Sequence, residues 1–479
     1  MLKHHLLAAL SCVFLTPTIT LAQSLCPTGT TSDKLICMIP QLYGVNGLPV
    51  QAVSFGGAPI NTHFQNVLPD SLSPLNSSIA RQSAVLPLAS PSSGITFSWD
   101  AAAKTFVAST ESFGPILGER AETIGKHRMS LGFSYQYFKF GDLDGVSLKN
   151  LPSVFLQQDD PLINTSRICS VNGDNQTECG YIRDVIKTDN KVDLKVHQFT
   201  TFLTFGLTDR IDLSMAIPIE NVRMSVFSSA TIVNNLDSTG TTFAHTFPFR
   251  TGCGLDNPPT PCSEQPFSSV QDASGIGDIT LRVKGTAWKG ERAGLAVGAD
   301  VRVPTGDSLN FLGAGAVGVR PFLVWSYRSR ISPHVSAGYE VNGSSKIAGD
   351  ITTGSKDKLP GELTYSVGAD AWITKRLTAG FDLLGQQVFQ AHRVSVTKVM
   401  EPAACEDSSG QCATGNFATP NVDPSVTQST ATYNVTYASV GAKFRPFSNL
   451  LITGNVLLKL NNGGLGAKVI PLVGLSYTF

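Results

Sequence analysis

The chain has 479 residues, enough for one large barrel or for several ordinary domains. Lys+Arg and Asp+Glu both number 36, so there is no basic surplus to attract nucleic acid, and no nucleic-acid partner is expected. Charged residues make up only 15% of the chain, below the usual globular share, and the 44 glycines fall inside alternating segments as well as between them, which suits a tightly curved sheet better than a helical domain.

The first residues read as a secretory signal. Lys3 gives a basic start, Leu6 to Leu15 is an apolar run, and Thr20-Leu21-Ala22 precedes Gln23, so cleavage is expected after Ala22. A lipoprotein signal ending at Cys12 would have a very short apolar region, and Pro17 interrupts the run too early for a retained anchor. No later stretch offers the roughly 18 to 20 apolar residues that a membrane-crossing helix needs. A membrane location therefore requires strands. The expected organisation is a signal peptide at 1–22, an N-terminal extension at 23–127 and a barrel at 128–479.

The extension reads differently from the rest. Residues 26–37 and 68–94 together are rich in Pro, Ser and Thr. Short strands are expected near 95–100 and 104–110, and 115–125 has a short helical possibility. Two readings stay open: a partial plug folded inward, or a loosely ordered periplasmic segment.

From residue 128 onward the pattern alternates. In 279–287, Ile279, Leu281 and Val283 share one face, with Thr280, Arg282 and Lys284 on the other. In 295–303, Leu295, Val297, Val301 and Val303 oppose Gly298, Asp300 and Arg302. Membrane barrels alternate in this way, with apolar residues outward and polar or small ones inward. The predicted strands are 128–140, 194–206, 210–226, 276–288, 292–304, 316–328, 331–344, 361–374, 377–396, 431–445, 449–461 and 466–479. The expected fold is all-β: a transmembrane antiparallel barrel of about twelve strands, with 10–14 as the even-numbered range that keeps both termini periplasmic. Tight turns at 207–210, 288–293, 327–332, 374–377 and 446–450 alternate with connections at 141–193, 227–275, 305–315, 345–360, 397–430 and 462–465. Pro218, Pro321 and Pro333 fall inside predicted strands and conflict with this drawing, because proline lacks a ladder donor. The last strand places Val473, Leu475, Tyr477 and Phe479 on one face and ends the chain. A terminal Phe479 in such a strand is similar to the signal read by the outer-membrane assembly machinery.

Eight cysteines follow the signal peptide, in four close pairs: Cys26-Cys37, Cys169-Cys179, Cys253-Cys262 and Cys405-Cys412. An oxidising compartment favours disulfides, and closeness favours local pairing. The last three pairs are expected in outer loops, reachable from outside the cell, and the first is expected on the periplasmic side. No CxxC spacing suggests a metal. No cofactor motif is found: the glycine-rich 313–321 lacks the Lys-Ser/Thr of a phosphate loop.

The candidate lumen-lining residues are Arg282, Lys284, Asp300, Arg302, Arg320, Glu340, Asp370, Trp372, Asp382, Lys443, Arg445 and Lys459, with Phe322 on the same face. Charges of both signs can pair across a wet lumen, and only those at a constriction select a solute. A hydrolase would need a Ser–His pair oriented by an acid or Asn. Ser332 and His334 share a face with many other polar residues and give no such signal, so no enzymatic activity is expected.

Several strings carry a family resemblance: residues 204–219, 275–289, 294–307, 318–327 and 332–343. They resemble the outer-membrane channels associated with the meta-cleavage pathway of phenol degradation. The similarity is best over 195–345 and weaker over 115–479. It implies a porin-like transporter for small aromatic or hydrophobic solutes in the outer membrane of a Gram-negative bacterium, with outer-membrane lipids around it. A more distant resemblance is to fatty-acid transport barrels, although 23–127 does not match their plug closely. The alternative is a structural or partner-binding barrel acting through its disulfide-stapled extracellular loops.

Overall fold

The computed structural model describes residues 26, 30–45, 47–52, 64, 97–100, 105–108, 112–156, 185–233, 245–248, 253, 262–349, 353–400, 422–447 and 449–479. Cys169, Cys179, Cys405, Cys412 and the signal segment 1–22 lie outside the described residues.

Twelve antiparallel strands close into a barrel. They are β1 (Met129–Leu143), β2 (Val185–Gly206), β3 (Ile211–Val233), β4 (Ile279–Lys289), β5 (Ala293–Val303) and β6 (Gly318–Tyr327) in the first half. The second half is β7 (Ile331–Asn342), β8 (Glu362–Thr374), β9 (Leu377–Met400), β10 (Val422–Phe444), β11 (Leu450–Lys459) and β12 (Val469–Thr478). Each strand pairs with its sequence neighbours, and β12 closes on β1 through Leu472↔Gln136 to Thr478↔Ser130. Both ends of the barrel sequence lie at the short-turn side, which in this architecture is periplasmic. Among the described residues, no helix is long and apolar enough to cross a membrane.

The alternation sets the register. Phe133, Phe199, Ile219, Val297, Leu323, Val367, Val440 and Val473 face outward and are exposed, as a lipid-facing wall requires. Asp300, Arg302, Glu340, Asp370, Asp382 and Lys443 alternate with such positions and are buried inside.

The three prolines are accommodated. Pro218 faces a bulge: Ile276 pairs with Ile219 and Thr280 with Ala216, and the carbonyl of Pro218 accepts from Gly277 N at 2.9 Å. Its missing donor thus falls where the ladder is already broken. The β6–β7 pairing skips Arg320 and Pro321, and Pro333 lies beyond the end of that ladder.

The outer end departs from the sequence reading. β2, β3, β9 and β10 run past the rim, and Glu264–Ile276, expected in a loop, is a strand paired along β3. Here the apolar face inverts. Within the membrane Phe199, Leu203 and Phe205 of β2 point outward, whereas above it Val192, Leu194 and Val196 point inward and are buried. Val222, Met224, Val226 and Ile232 of β3 do the same. They form one core with Leu35, Ile36, Met38, Ile39, Leu42 and Tyr43 of the N-terminal extension.

The expectation that Cys26 and Cys37 lie on the periplasmic side is therefore corrected. Lys34 pairs with Asp307 at 3.0 Å, Tyr43 hydrogen-bonds Ser228 at 3.0 Å, and Gln51–Ala52 pairs with His245–Thr246, all in the outer part. The cause is hydrophobic: the outer strand extensions have an apolar inner face, and this segment covers it. Cys26–Cys37 accordingly closes at the outer end, and Cys253–Cys262 closes in an outer connection. Phe97–Asp100 and Thr105–Ala108 are the short strands expected near 95–100 and 104–110, and they pair with each other. Residues 115–125 form no helix.

Candidate translocation pathway through the barrel

Residues 112–126 cross the lumen as irregular chain, so their peptide groups need partners from the wall. The wall supplies them with side chains. At the first end, Ser112 Oγ donates to Asp370, and Phe113 N donates to Thr378 Oγ1 at 3.2 Å. Lys443 Nζ donates to the carbonyls of Phe113, at 3.2 Å, and Pro115, at 2.5 Å. Further along, Lys284 Nζ donates to Arg120 O at 3.1 Å and to Glu122 O at 3.0 Å. Thr286 donates to Ala121 O at 2.7 Å, Ala121 N donates to Ser326 Oγ at 3.1 Å, and Ile124 N donates to Asp212 Oδ2 at 3.0 Å. Arg120 is buried in this segment, and its charge is balanced by Glu122, Asp370, Asp212 and Glu119 around it.

Two close approaches require glycine. A Cβ on Gly118 would stand 2.7 Å from His334 Nε2 and Asp382 Oδ1, and one on Gly206 would overlap the carbonyl oxygen of Gly125. The segment is therefore seated tightly at both contacts.

Above this segment lies a cavity of about 200 Å³. Leu117 and Glu119 form its floor. Phe202, Phe322, Tyr365, Leu384, Val435 and Tyr437 give it a largely apolar wall, and Arg282, Arg302, Arg320, Ser336, Thr364 and Gln386 give it polar points. The charges are ordered. Arg282 grips Asp300 bidentately, with Nε–Oδ1 at 2.6 Å and Nη2–Oδ2 at 2.8 Å, and also bonds Glu119. Its guanidinium lies 4.9 Å from the centre of the Phe322 ring. Arg320 bonds Asp300 but keeps 27% of its side chain exposed, against 10% for Arg282. Arg302 bridges Asp278 at 3.2 Å and Glu340 at 2.8 Å.

The twelve sequence candidates separate by position. Arg282, Asp300, Arg302, Arg320 and Glu340 line the cavity. Lys284, Asp370, Asp382 and Lys443 hold the crossing segment. Lys459 pairs with Asp142 at 2.7 Å, away from the cavity. Trp372, opposite Thr378, and Arg445, 5.3 Å over Phe113, stand towards the periplasmic end and do not line it. Sequence reading missed Glu119 and Leu117. Its available signal was the charged string Glu119-Arg120-Ala121-Glu122 in an extension otherwise poor in charge.

His334 is a bracing group. Its ring contacts Asp382 at 2.6 Å and Asp370 at 3.5 Å. The Ser332 hydroxyl instead donates to Ser329 O at 2.8 Å, so the Ser–His pair of a hydrolase is not formed. Among the described residues, no group of His, Cys, Asp and Glu could hold a metal ion.

A family model described as "Putative MetA-pathway of phenol degradation" matches residues 190–395, from β2 to β9. Over these strands, less than half of the chain, the sequence is similar to that family. No curated protein matches the sequence. Solved structures to which the chain is similar include an outer membrane channel from Pseudomonas putida F1, at 10% identity and a TM-score of 0.41, covering 75% of this chain and 98% of that one. The NanC porin is similar at 7% identity and a TM-score of 0.31, over 62% and 98% of the two chains. A FadL homologue from Pseudomonas aeruginosa is similar at 11% identity and a TM-score of 0.28, over 74% and 89%. The protein is a closed twelve-stranded antiparallel β-barrel with an apolar, exposed outer wall.

Proposed function

We propose that this barrel is a gated channel for small, aromatic or otherwise hydrophobic solutes. One observation carries the reading: the lumen cavity, apolar over most of its wall, with guanidinium groups at one side. Its volume of about 200 Å³ is that of a one-ring molecule, since an apolar cavity of roughly 150 Å³ holds benzene. Phe322 under Arg282 gives a ring a flat apolar partner. The resemblance to phenol-pathway channels points to the same solute class.

The test is reconstitution of the full-length protein and a version lacking residues 23–125. Aromatic acids and fatty acids are added to planar bilayers and to loaded liposomes. The full-length protein should show small or gated conductance that rises on removal of the extension, or uptake of a one-ring solute. No conductance and no uptake from either folded version refutes the channel reading in favour of a partner-binding barrel.

A further inference from the structure

The outward wall holds a cluster that neither passage of solute nor barrel closure uses. On β1 the outward positions run Met129, Leu131, Phe133, Tyr135, Tyr137, Lys139. On β2 they run Phe205, Leu203, Thr201, Phe199, His197, Lys195, and on β3 Leu213, Met215, Ile217, Ile219, Asn221, Arg223. All three strands change from apolar to polar at one level. Tyr137 pairs with His197 and His197 with Asn221, and the next outward level is Lys139↔Lys195↔Arg223. From Met129 to Lys139 the strand climbs about 25 Å along the membrane normal, at about 3.4 Å per residue and a tilt of about 40°. An outer-membrane apolar band is about 25 Å tall, so the three cations stand at its upper edge.

Directly opposed residues have Cβ atoms about 4.5–5.5 Å apart, and like charges there destabilise a sheet. Lys139 and Arg223 are exposed, and Lys195 is one-third exposed. Lys191 is close by, and Lys468 follows Ala467, which pairs with Phe140 beside Lys139. The local anions are fewer: Asp193, 2.7 Å from Lys195, and Asp272, opposite Arg223. On β10, by contrast, the outward positions beyond Ala438 are the neutral Thr436, Asn434 and Thr432. The cationic row therefore belongs to one sector of the wall. It lies above a ledge of Tyr135, Tyr137, His197 and Phe199, whose rings are 4.8–6.1 Å apart.

We propose that Lys139, Lys195 and Arg223 form a binding site for the phosphate groups of an acylated glycolipid of the outer leaflet. The phosphates offset the repulsion within the row. The acyl chains run down the apolar wall below it, and the aromatic ledge packs against the sugar and glycerol-depth region between. The depth selects a lipid over a soluble anion: only a molecule anchored in the bilayer presents both phosphate and hydrocarbon at this level.

The test uses purified full-length protein in detergent. Three probes are added: a bisphosphorylated lipid A, the same lipid with its phosphates removed, and inorganic phosphate. Bound lipid is counted by native mass spectrometry, and the heat-induced unfolding midpoint is read on gels. The bisphosphorylated lipid should bind and raise the midpoint. The triple variant Lys139→Gln, Lys195→Gln, Arg223→Gln should lose affinity at least roughly tenfold, while Lys346→Gln, Lys356→Gln, Lys358→Gln in an outer connection should not. Equal binding of the dephosphorylated lipid, equal protection by inorganic phosphate, or equal loss in the control triple overturns the proposal. If the first triple variant does not assemble, the single Arg223→Glu variant decides by the same readouts.

Discussion

Replacing Lys443 with Met tests whether the wall holds the crossing segment in place. The Lys443 ammonium donates to two carbonyls, Phe113 O at 3.2 Å and Pro115 O at 2.5 Å, from a fully buried position. Methionine keeps the length of the side chain and removes both donors. A hydrogen bond from a charged donor contributes about 1.5–3 kcal/mol, so two give about 3–6 kcal/mol in gross terms. Removing a desolvated ammonium returns part of that, leaving a net loss of about 2–3 kcal/mol. If the loss falls on local release of residues 112–118, the released population rises roughly 30- to 150-fold. Hydrogen exchange of peptides spanning 112–126 reads this directly. Gly118 N, bonded to Asp382, and Ala121 N, bonded to Ser326, are the reporters. Exchange there should accelerate while the β4–β8 amides stay protected, and bilayer recordings should show more frequent openings. Unchanged exchange in 112–126, with the barrel resistant to unfolding before heating, refutes the reasoning.

Gly118→Ala places a methyl 2.7 Å from His334 and Asp382 and should weaken the same seating by about 1–3 kcal/mol, read as a lower heat-unfolding midpoint. His334→Ala leaves Asp370 and Asp382 without their shared partner and should lower the midpoint by a similar amount; a lipid-hydrolysis activity lost with this change would overturn the bracing role. Tyr43→Phe removes the hydroxyl contacts to Ser228 and Asn190, and should cost about 1 kcal/mol, seen as faster proteolysis of the outer core. After reduction, Cys26 and Cys37 should be labelled by impermeant reagents added outside intact cells once the outer core is loosened by Tyr43→Phe; labelling only from the periplasm would refute the outer placement of the extension.

Much of the barrel was determined by the sequence alone. A period of two fixes which side chains share a face, and charges alternating with apolar residues along nearly every strand fit a membrane barrel better than a soluble sandwich. The strand set, the turns and the closure through Phe479 N to Met129 O follow from that local pattern. So does the local pairing of Cys26 with Cys37 and Cys253 with Cys262, because short separations keep the partners close. The tertiary structure decided three other matters. First, the outer strand extensions were hidden because their apolar residues change face above the membrane, where water rather than lipid lies outside. No single apolar face runs the length of β2, since Leu194 and Val196 point inward and Phe199 points outward on the one strand. Second, the N-terminal extension has no periodicity, and only the apolar lining it covers explains where Leu35 to Tyr43 lie. Third, the roles of the inner charges depend on depth. Lys443, Lys284 and Arg282 all alternate inward, yet two hold backbone carbonyls and one lines the cavity, because the path of residues 112–126 through the lumen decides which charge meets what.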